Sequence, residues 1–176
     1  MLAEAVAYPA VEAGDRMSFA DHYRAESGRV ARLAYLLTGD RHLAEDLMQE
    51  AFLRVGSRLR HVSPETFGPY VRKTVVNLAR SQFRRNAVRN KYASRVETEY
   101  ATEHSSSGSD IEVRDELWHA LQQLPTRQRE AIVCRFYSDM SEAETASVLG
   151  ISVGTVKSST SRGLAALRAA LETEER

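Results

Sequence analysis

Residues 141–168 read SEAETASVLGISVGTVKSSTSRGLAALR, and their punctuation decides the fold. Ser141-x-x-Glu144 is a capping box: the serine hydroxyl accepts from an orphan amide at a helix start, and the glutamate reaches back to the cap's own N–H. Ala146, Val148 and Leu149 supply the apolar side of that short helix. Gly150 closes it, because glycine enters the left-handed conformation without steric cost. Ser152 then caps a longer helix from Val153 to about Leu171. Two helices joined by so short a turn predict a helix-turn-helix, whose second helix enters the DNA major groove with its N-terminal residues at base edges. Between 152 and 168 stand three bases, Lys157, Arg162 and Arg168, and no acid. Val156, Leu164 and Leu167 are expected to pack inward, leaving Thr155, Lys157, Ser158, Ser159 and Arg162 for DNA. Short hydroxyls there let the backbone approach phosphates closely. A plain helical hairpin with a solvated Ser/Thr face shares the pattern, but serine-rich helix surface has poor propensity and is a weak choice for an idle face.

The same helical punctuation extends outward on the N-terminal side. Leu33, Leu36, Leu37, Leu43, Leu47, Phe52, Val55 and Leu59 recur at three- and four-residue steps, which is a helix period and not a strand alternation. Thr38-Gly39-Asp40 separates two helices, with Gly39 as stop and Asp40 as N-cap. Ser63-Pro64 opens a third, with proline at the first helical position. Residues 98–109 (TEYATEHSSSGS) hold one aromatic and no aliphatic larger than alanine, so they read as a linker. Asp110 can cap a helix over 111–123, and Pro125-Thr126 opens another. With no β-rich stretch and no repeat, the expected fold is all-α. It consists of two small helical domains joined by a flexible acidic linker, the C-terminal one a helix-turn-helix. The expected boundaries are a flexible extension over 1–16, a first domain over 17–95, a linker over 96–110 and a second domain over 111–172.

A chain of 176 residues fits two small domains. One cysteine, Cys134, excludes a disulfide framework and a cysteine-based zinc site. Residues 1–11 lack the basic start of a signal peptide. The longest uncharged stretch, 145–156, has 12 residues and two glycines, too short for a membrane span. A soluble, reducing, cytoplasmic setting is expected. Catalysis finds little support: the five histidines stand at no ligand spacing, adjacent carboxylates such as Glu45-Asp46 are solvated, and no glycine-rich phosphate loop occurs. No enzyme activity, metal or cofactor is implied.

Net charge is zero, with 24 bases and 24 acids, yet the charges are segregated. Residues 72–95 carry 8 Lys/Arg and no acid, while residues 96–113 carry 5 acids and no base. Eight like charges on one helix repel unless a polyanion neutralises them, so nucleic acid is the expected partner, with salt-sensitive binding. Val71, Val75, Leu78, Ala79 and Phe83 form the apolar side, with Arg72, Lys73, Asn77, Arg80, Ser81, Arg84 and Arg85 largely on the others. Asn77 can offer a base edge both a donor and an acceptor. A span of about 20 residues around the linker reaches about 70 Å when extended, close to two turns of DNA. Residues 46–54 (DLMQEAFLR) mix apolar and charged side chains around nearly the whole helix. Partner binding and full burial both explain them.

Taken together these blocks resemble the ECF-type (group 4) sigma factors of bacterial RNA polymerase. LTGDRHLAEDLMQEAFLRV is similar to regions 2.1–2.2, PYVRKTVVNLARSQFRR to regions 2.3–2.4, and LPTRQREAIVCRFYSDMSEAETASVLGISVGTVKSSTSRGLAALR to region 4. The resemblance covers about residues 19–171 and is nearest to the actinobacterial SigE-like subgroup. It implies an alternative sigma factor that binds core polymerase and directs promoter-specific initiation. It implies that Asp46, Gln49, Glu50, Phe52 and Arg54 face the β′ clamp helices, and that region 4 meets the β flap. It places Asn77 at a pocket for a flipped base of the minus-10 element, with Arg80, Ser81, Arg84 and Arg85 near the strand backbone. It places Thr155, Lys157, Ser158, Ser159 and Arg162 at the minus-35 major groove, and threads the acidic linker through the active-site and RNA-exit channel. An anti-sigma factor is a further partner the resemblance admits. Ser159 stands where some relatives have arginine, and residues 67–71 lack the tryptophan pair of housekeeping sigma factors. Those departures imply different minus-35 contacts and melting of fewer bases. The alternative is a helix-turn-helix regulator acting on duplex DNA without polymerase, which would need a sensor pocket or palindromic half-sites.

Overall fold

The computed structural model describes residues 18–57, 64–93 and 115–174. Among these there are seven α-helices and no strand. Helix α1 (Phe19–Thr38) begins at a capping box in which Ser18 and Asp21 exchange hydrogen bonds. It ends at Gly39, in the left-handed region at φ 73°, whose N–H bonds the Tyr35 carbonyl. Asp40 accepts from the Leu43 amide at 3.0 Å and starts α2 (Arg41–Gly56). The turn expected at Thr38-Gly39-Asp40 is therefore built as its chemistry dictates. Helix α3 (Pro64–Ala93) carries the basic block and accommodates Pro69 within its first two turns.

These three helices close around Val30, Leu33, Leu37, Phe52, Val55, Phe67, Val71 and Val75, each 2% exposed or less. His22 is buried here too, its ring stacked on Phe67 at 4.3 Å. The part-buried Arg72 donates to Glu26 at 2.8 Å, tying α3 to α1.

The C-terminal unit runs α4 (Asp115–Gln123), α5 (Thr126–Ile132), α6 (Glu142–Leu149) and α7 (Val153–Glu174). Helix α5 continues into a π-helical turn, Val133–Tyr137, which the sequence did not foretell. Single wider turns of this kind are uncommon in helices, and here the chain leaves through Ser138 and Asp139, the latter at φ 52°. The Ser141/Glu144 capping box forms with both bonds in place. Gly150, at φ 56°, donates to Ser147 O at 3.4 Å, and Ile151 donates to Ala146 O at 3.1 Å. That pair of bonds is a Schellman motif. Ser152 then accepts from the Thr155 amide at 3.1 Å and starts α7.

The two units do not stand apart. Their buried residues form one continuous cluster, with Tyr35 of α1 stacked on Trp118 of α4 at 5.4 Å and an interplanar angle of 11°. Helix α6 lies against α3. The expected linker, 96–110, the extension 1–16 and the proposed Asp110 cap lie outside the described residues.

Candidate nucleic-acid and partner surfaces

Helix α7 sorts its residues by face. Val156, Ser159 and Gly163, at steps of three and four, point into the protein; Val156 is fully buried and Ser159 is 9% exposed. Gly163 is there because α5 passes so close: a Cβ at this position would meet Ile132 Cδ1 at 2.6 Å. Ser159, expected on the DNA face, is accordingly part of the small-residue seam against the supporting helices. Thr155, Lys157, Ser158 and Arg162 keep access to solvent, with Lys157 and Arg162 exposed. Lys157 pairs with Glu142 of α6 at 3.5 Å across the turn. Leu164, expected to point inward, is 41% exposed.

Helix α2 sorts its residues in the same way. Ala44, Leu47, Met48, Ala51, Phe52 and Val55 are all buried and fall on one side of the helix, which lies in the core. Phe52, assigned above to a partner-facing role, is 2% exposed, sealed by Phe67 at 6.1 Å and Tyr23 at 4.8 Å. Beyond the exposed His42 of the first turn, what remains outside is Asp46, Gln49, Glu50, Leu53 and Arg54, at the i, i+3, i+4, i+7 and i+8 steps of one helix face. Leu53 is 73% exposed, the most exposed large apolar side chain among the described residues. Sequence reasoning missed it because it chose the neighbouring phenylalanine.

Beside that stripe, α3 and α2 enclose a polar groove of about 460 Å³. Its lining includes Glu50, Arg54, Asn77, Ser81 and Arg85. Two sets of residues assigned separately from sequence thus meet along one groove. Asn77 and Arg85 are exposed, as is Arg84.

Arg80 is different. It turns from the groove toward the C-terminal unit, where its Nη1 donates to the Val148 carbonyl at 2.7 Å and its Nε lies 3.9 Å from Glu130. Glu130 is 7% exposed, and burial raises its pKa even though Arg80, Arg129 and Arg127 pull it down. Cys134, one turn on, is pushed up to about 12 by burial. A thiol so shielded is inert. Glu144 goes the other way, lowered by its bonds to the Ser141 cap.

A second groove, of about 400 Å³ and mostly apolar, opens between the units, lined by Arg32, Leu36, Leu117, Leu121, Phe136 and Leu164 among others. No three metal-binding side chains cluster, and no helix is long and apolar enough to cross a membrane, among the described residues.

Known proteins match this arrangement along most of the chain. The family described as Sigma-70 region 2 matches residues 22–89, and that described as Sigma-70, region 4 matches residues 114–167. The ECF RNA polymerase sigma factor SigE of Mycolicibacterium smegmatis is 34% identical over 155 residues, covering 82% of this chain and 58% of that protein. The RNA polymerase sigma-E factor of Streptomyces avermitilis is 31% identical over 165 residues, covering 92% and 89%. Among solved structures, the sigma factor RpoE of Bartonella quintana, in complex with the anti-sigma factor NepR, shares the fold with a TM-score of 0.68. That match has 24% identity and covers 88% of this chain and 96% of that one.

Proposed function

The chain belongs to the ECF-type sigma factors of bacterial RNA polymerase and directs transcription initiation as an alternative sigma factor, and from that premise we propose how its surfaces divide the work. The outer stripe of α2, with Asp46, Gln49, Glu50, Leu53 and Arg54, docks on the β′ clamp helices. Leu53 takes the apolar role first given to Phe52, since it is exposed among charged residues and an apolar centre inside a polar rim is the anatomy of an interface. Asn77, Ser81, Arg84 and Arg85 meet the minus-10 element, Asn77 at a flipped base and the arginines at the backbone, where charge positions but does not specify. Thr155, Lys157, Ser158 and Arg162 read the minus-35 major groove. Ser159 contributes by letting α7 seat against its support.

The domains then run over 17–95 and 111–172, with the acidic segment 96–110 threading the channel through which RNA later leaves. Region 4 meets the β flap, and the setting is the cytoplasm. An anti-sigma factor is a further partner, as for the Bartonella quintana protein in its complex. The observation that carries the reading is the polar groove lined by Glu50 and Arg54 of α2 together with Asn77, Ser81 and Arg85 of α3. A protein that hands DNA to polymerase needs its polymerase-facing and strand-facing residues side by side.

Run-off transcription tests it. The purified chain with core polymerase should start transcripts at a defined set of promoters in a genomic library. Tight, sequence-specific duplex binding without core, and no transcripts with it, would replace the reading by a stand-alone regulator.

A further inference from the structure

Between 141 and 171 the helix-turn-helix holds three bases, Lys157, Arg162 and Arg168, and two acids, Glu142 and Glu144. Glu144 is committed within the protein: its carboxylate accepts from the Ser141 amide at 2.8 Å and completes the cap of α6. Glu142, the first residue of α6, takes no part in that cap. Its Oε2 lies 3.5 Å from Lys157 Nζ of α7, with 39% and 63% of the two side chains exposed. The hydroxyls nearby are engaged locally. Ser152 Oγ and Thr155 Oγ1 lie 2.9 Å apart, and Ser158 Oγ donates to the Thr155 carbonyl at 3.2 Å.

An exposed ion pair of this kind contributes little to stability, so the fold does not require it and it is easily redirected to a ligand. Opposite a duplex it has a definite preference. Phosphates repel a carboxylate, and one beside Lys157 cancels much of the charge that would hold a phosphate. Base edges receive the pair better. In the major groove cytosine presents its N4 amino donor, and guanine presents two acceptors, N7 and O6. A carboxylate suits the first and an ammonium the second. Adenine also has an amino donor, but its N7 acceptor stands beside it and repels a carboxylate. The 3.5 Å between the charged heads is close to the rise of about 3.4 Å per base along a strand. Donor and acceptor are thus spaced for neighbouring base pairs.

We propose that Glu142 is a specificity-determining residue of the minus-35 surface, accepting from a cytosine N4 amino group while Lys157 donates to a guanine at the adjacent pair. The proposal rests on the sigma-factor reading above and deepens it by adding a residue of the supporting helix to the base-reading set. Lys157 alone could settle on any phosphate or any guanine within reach. The carboxylate beside it restricts where that cation can go.

The test is a promoter library randomised across the minus-35 element, transcribed by core polymerase with the full chain and read by sequencing the transcripts. The parent should favour cytosine at one position, next to a guanine whose preference Lys157→Ala removes. Glu142→Ala should lower the cytosine preference there about tenfold. Glu142→Gln keeps the side-chain length but presents an amide, the bidentate partner of adenine, so the preference should move from cytosine to adenine by about the same factor. A change of preferred base is not what the loss of a merely structural contact produces. Neither substitution touches the Ser141–Glu144 cap, so α6 keeps its start. Identical minus-35 preferences in the parent and Glu142→Ala would overturn the proposal, as would a Glu142→Gln variant that gains nothing at adenine. Both results leave the sigma reading standing as long as the parent yields transcripts; no transcripts from the parent with core polymerase would overturn that reading, and the proposal with it.

Discussion

Leu53→Ala and Phe52→Ala are adjacent substitutions that should fail in opposite ways. Leu53 is 73% exposed and Phe52 is 2% exposed, on neighbouring positions of α2. Fully burying a leucine side chain stabilises by about 1.5–3 kcal/mol. Covering roughly three quarters of one against the clamp helices should therefore contribute about 1–2 kcal/mol to binding, a factor of roughly 5 to 30 in affinity. In the free protein the same leucine contributes almost nothing, and alanine is the better helix former. Leu53→Ala should thus leave the denaturant midpoint within about 0.5 kcal/mol of the parent. Phe52→Ala instead opens a cavity among Phe67, Tyr23 and Phe19 and should cost about 3–5 kcal/mol of stability. The paired assay is urea unfolding of the free chain and titration of core polymerase with labelled protein under conditions where both variants remain folded. If Leu53→Ala binds core as tightly as the parent, or unfolds several kcal/mol earlier, the division of α2 into a core face and a partner face is wrong.

Other surfaces give independent checks. Asn77→Ala should spare core binding but reduce promoter melting at least tenfold, visible as lost permanganate reactivity; normal melting would remove Asn77 from the flipped-base role. Arg162→Ala and Lys157→Ala should each weaken minus-35 use by about 1–3 kcal/mol where the contact is to a base, scored by promoter competition. If only the salt dependence changes, the contact is to phosphate. Lowered carboxyl pKa values at Asp21 and Glu144, each held by its serine cap, make the charged form the native one. The stability they confer is therefore present above the ordinary carboxyl range and lost as pH falls through the lowered values. Thermal melts followed by circular dichroism should drop between about pH 5 and pH 3, and Glu144→Gln should flatten part of that drop. Ser141→Ala, which removes the cap itself, should cost about 1 kcal/mol at neutral pH.

What could be read from sequence and what could not divides along the range of the interactions. Gly39, Asp40, Ser141, Glu144, Gly150 and Ser152 act within four residues of themselves, and each does in the structure what its local chemistry requires. Face assignments fared less well. Phe52 and Leu53 are both large and apolar and lie about 100° apart on the helix, so periodicity alone leaves the choice to whichever neighbours arrive from elsewhere in the chain. Ser159 looked like a DNA-facing hydroxyl because serine is polar, but a helix crossing another at close range needs small side chains, and size outweighed polarity. The hydrogen bonds between the two units join residues far apart in sequence, such as Arg80 with Val148 and Gln122 with Leu36. No local pattern announces them. The charge segregation pointed to nucleic acid without showing that one of its arginines would be turned the other way.

The seam formed by Val156, Ser159 and Gly163 bears on how such a protein can diversify. Because the helix rests on its support along that edge, where a Cβ at Gly163 would press on the Ile132 side chain and on Gln128 Cβ, the proposed reading has its tilt into a duplex decided by residues on the supported side. The opposite edge is free to vary. A library seeking altered promoter preference should randomise Thr155, Lys157, Ser158 and Arg162 together and leave the seam alone, since a larger residue there would re-aim every contact at once.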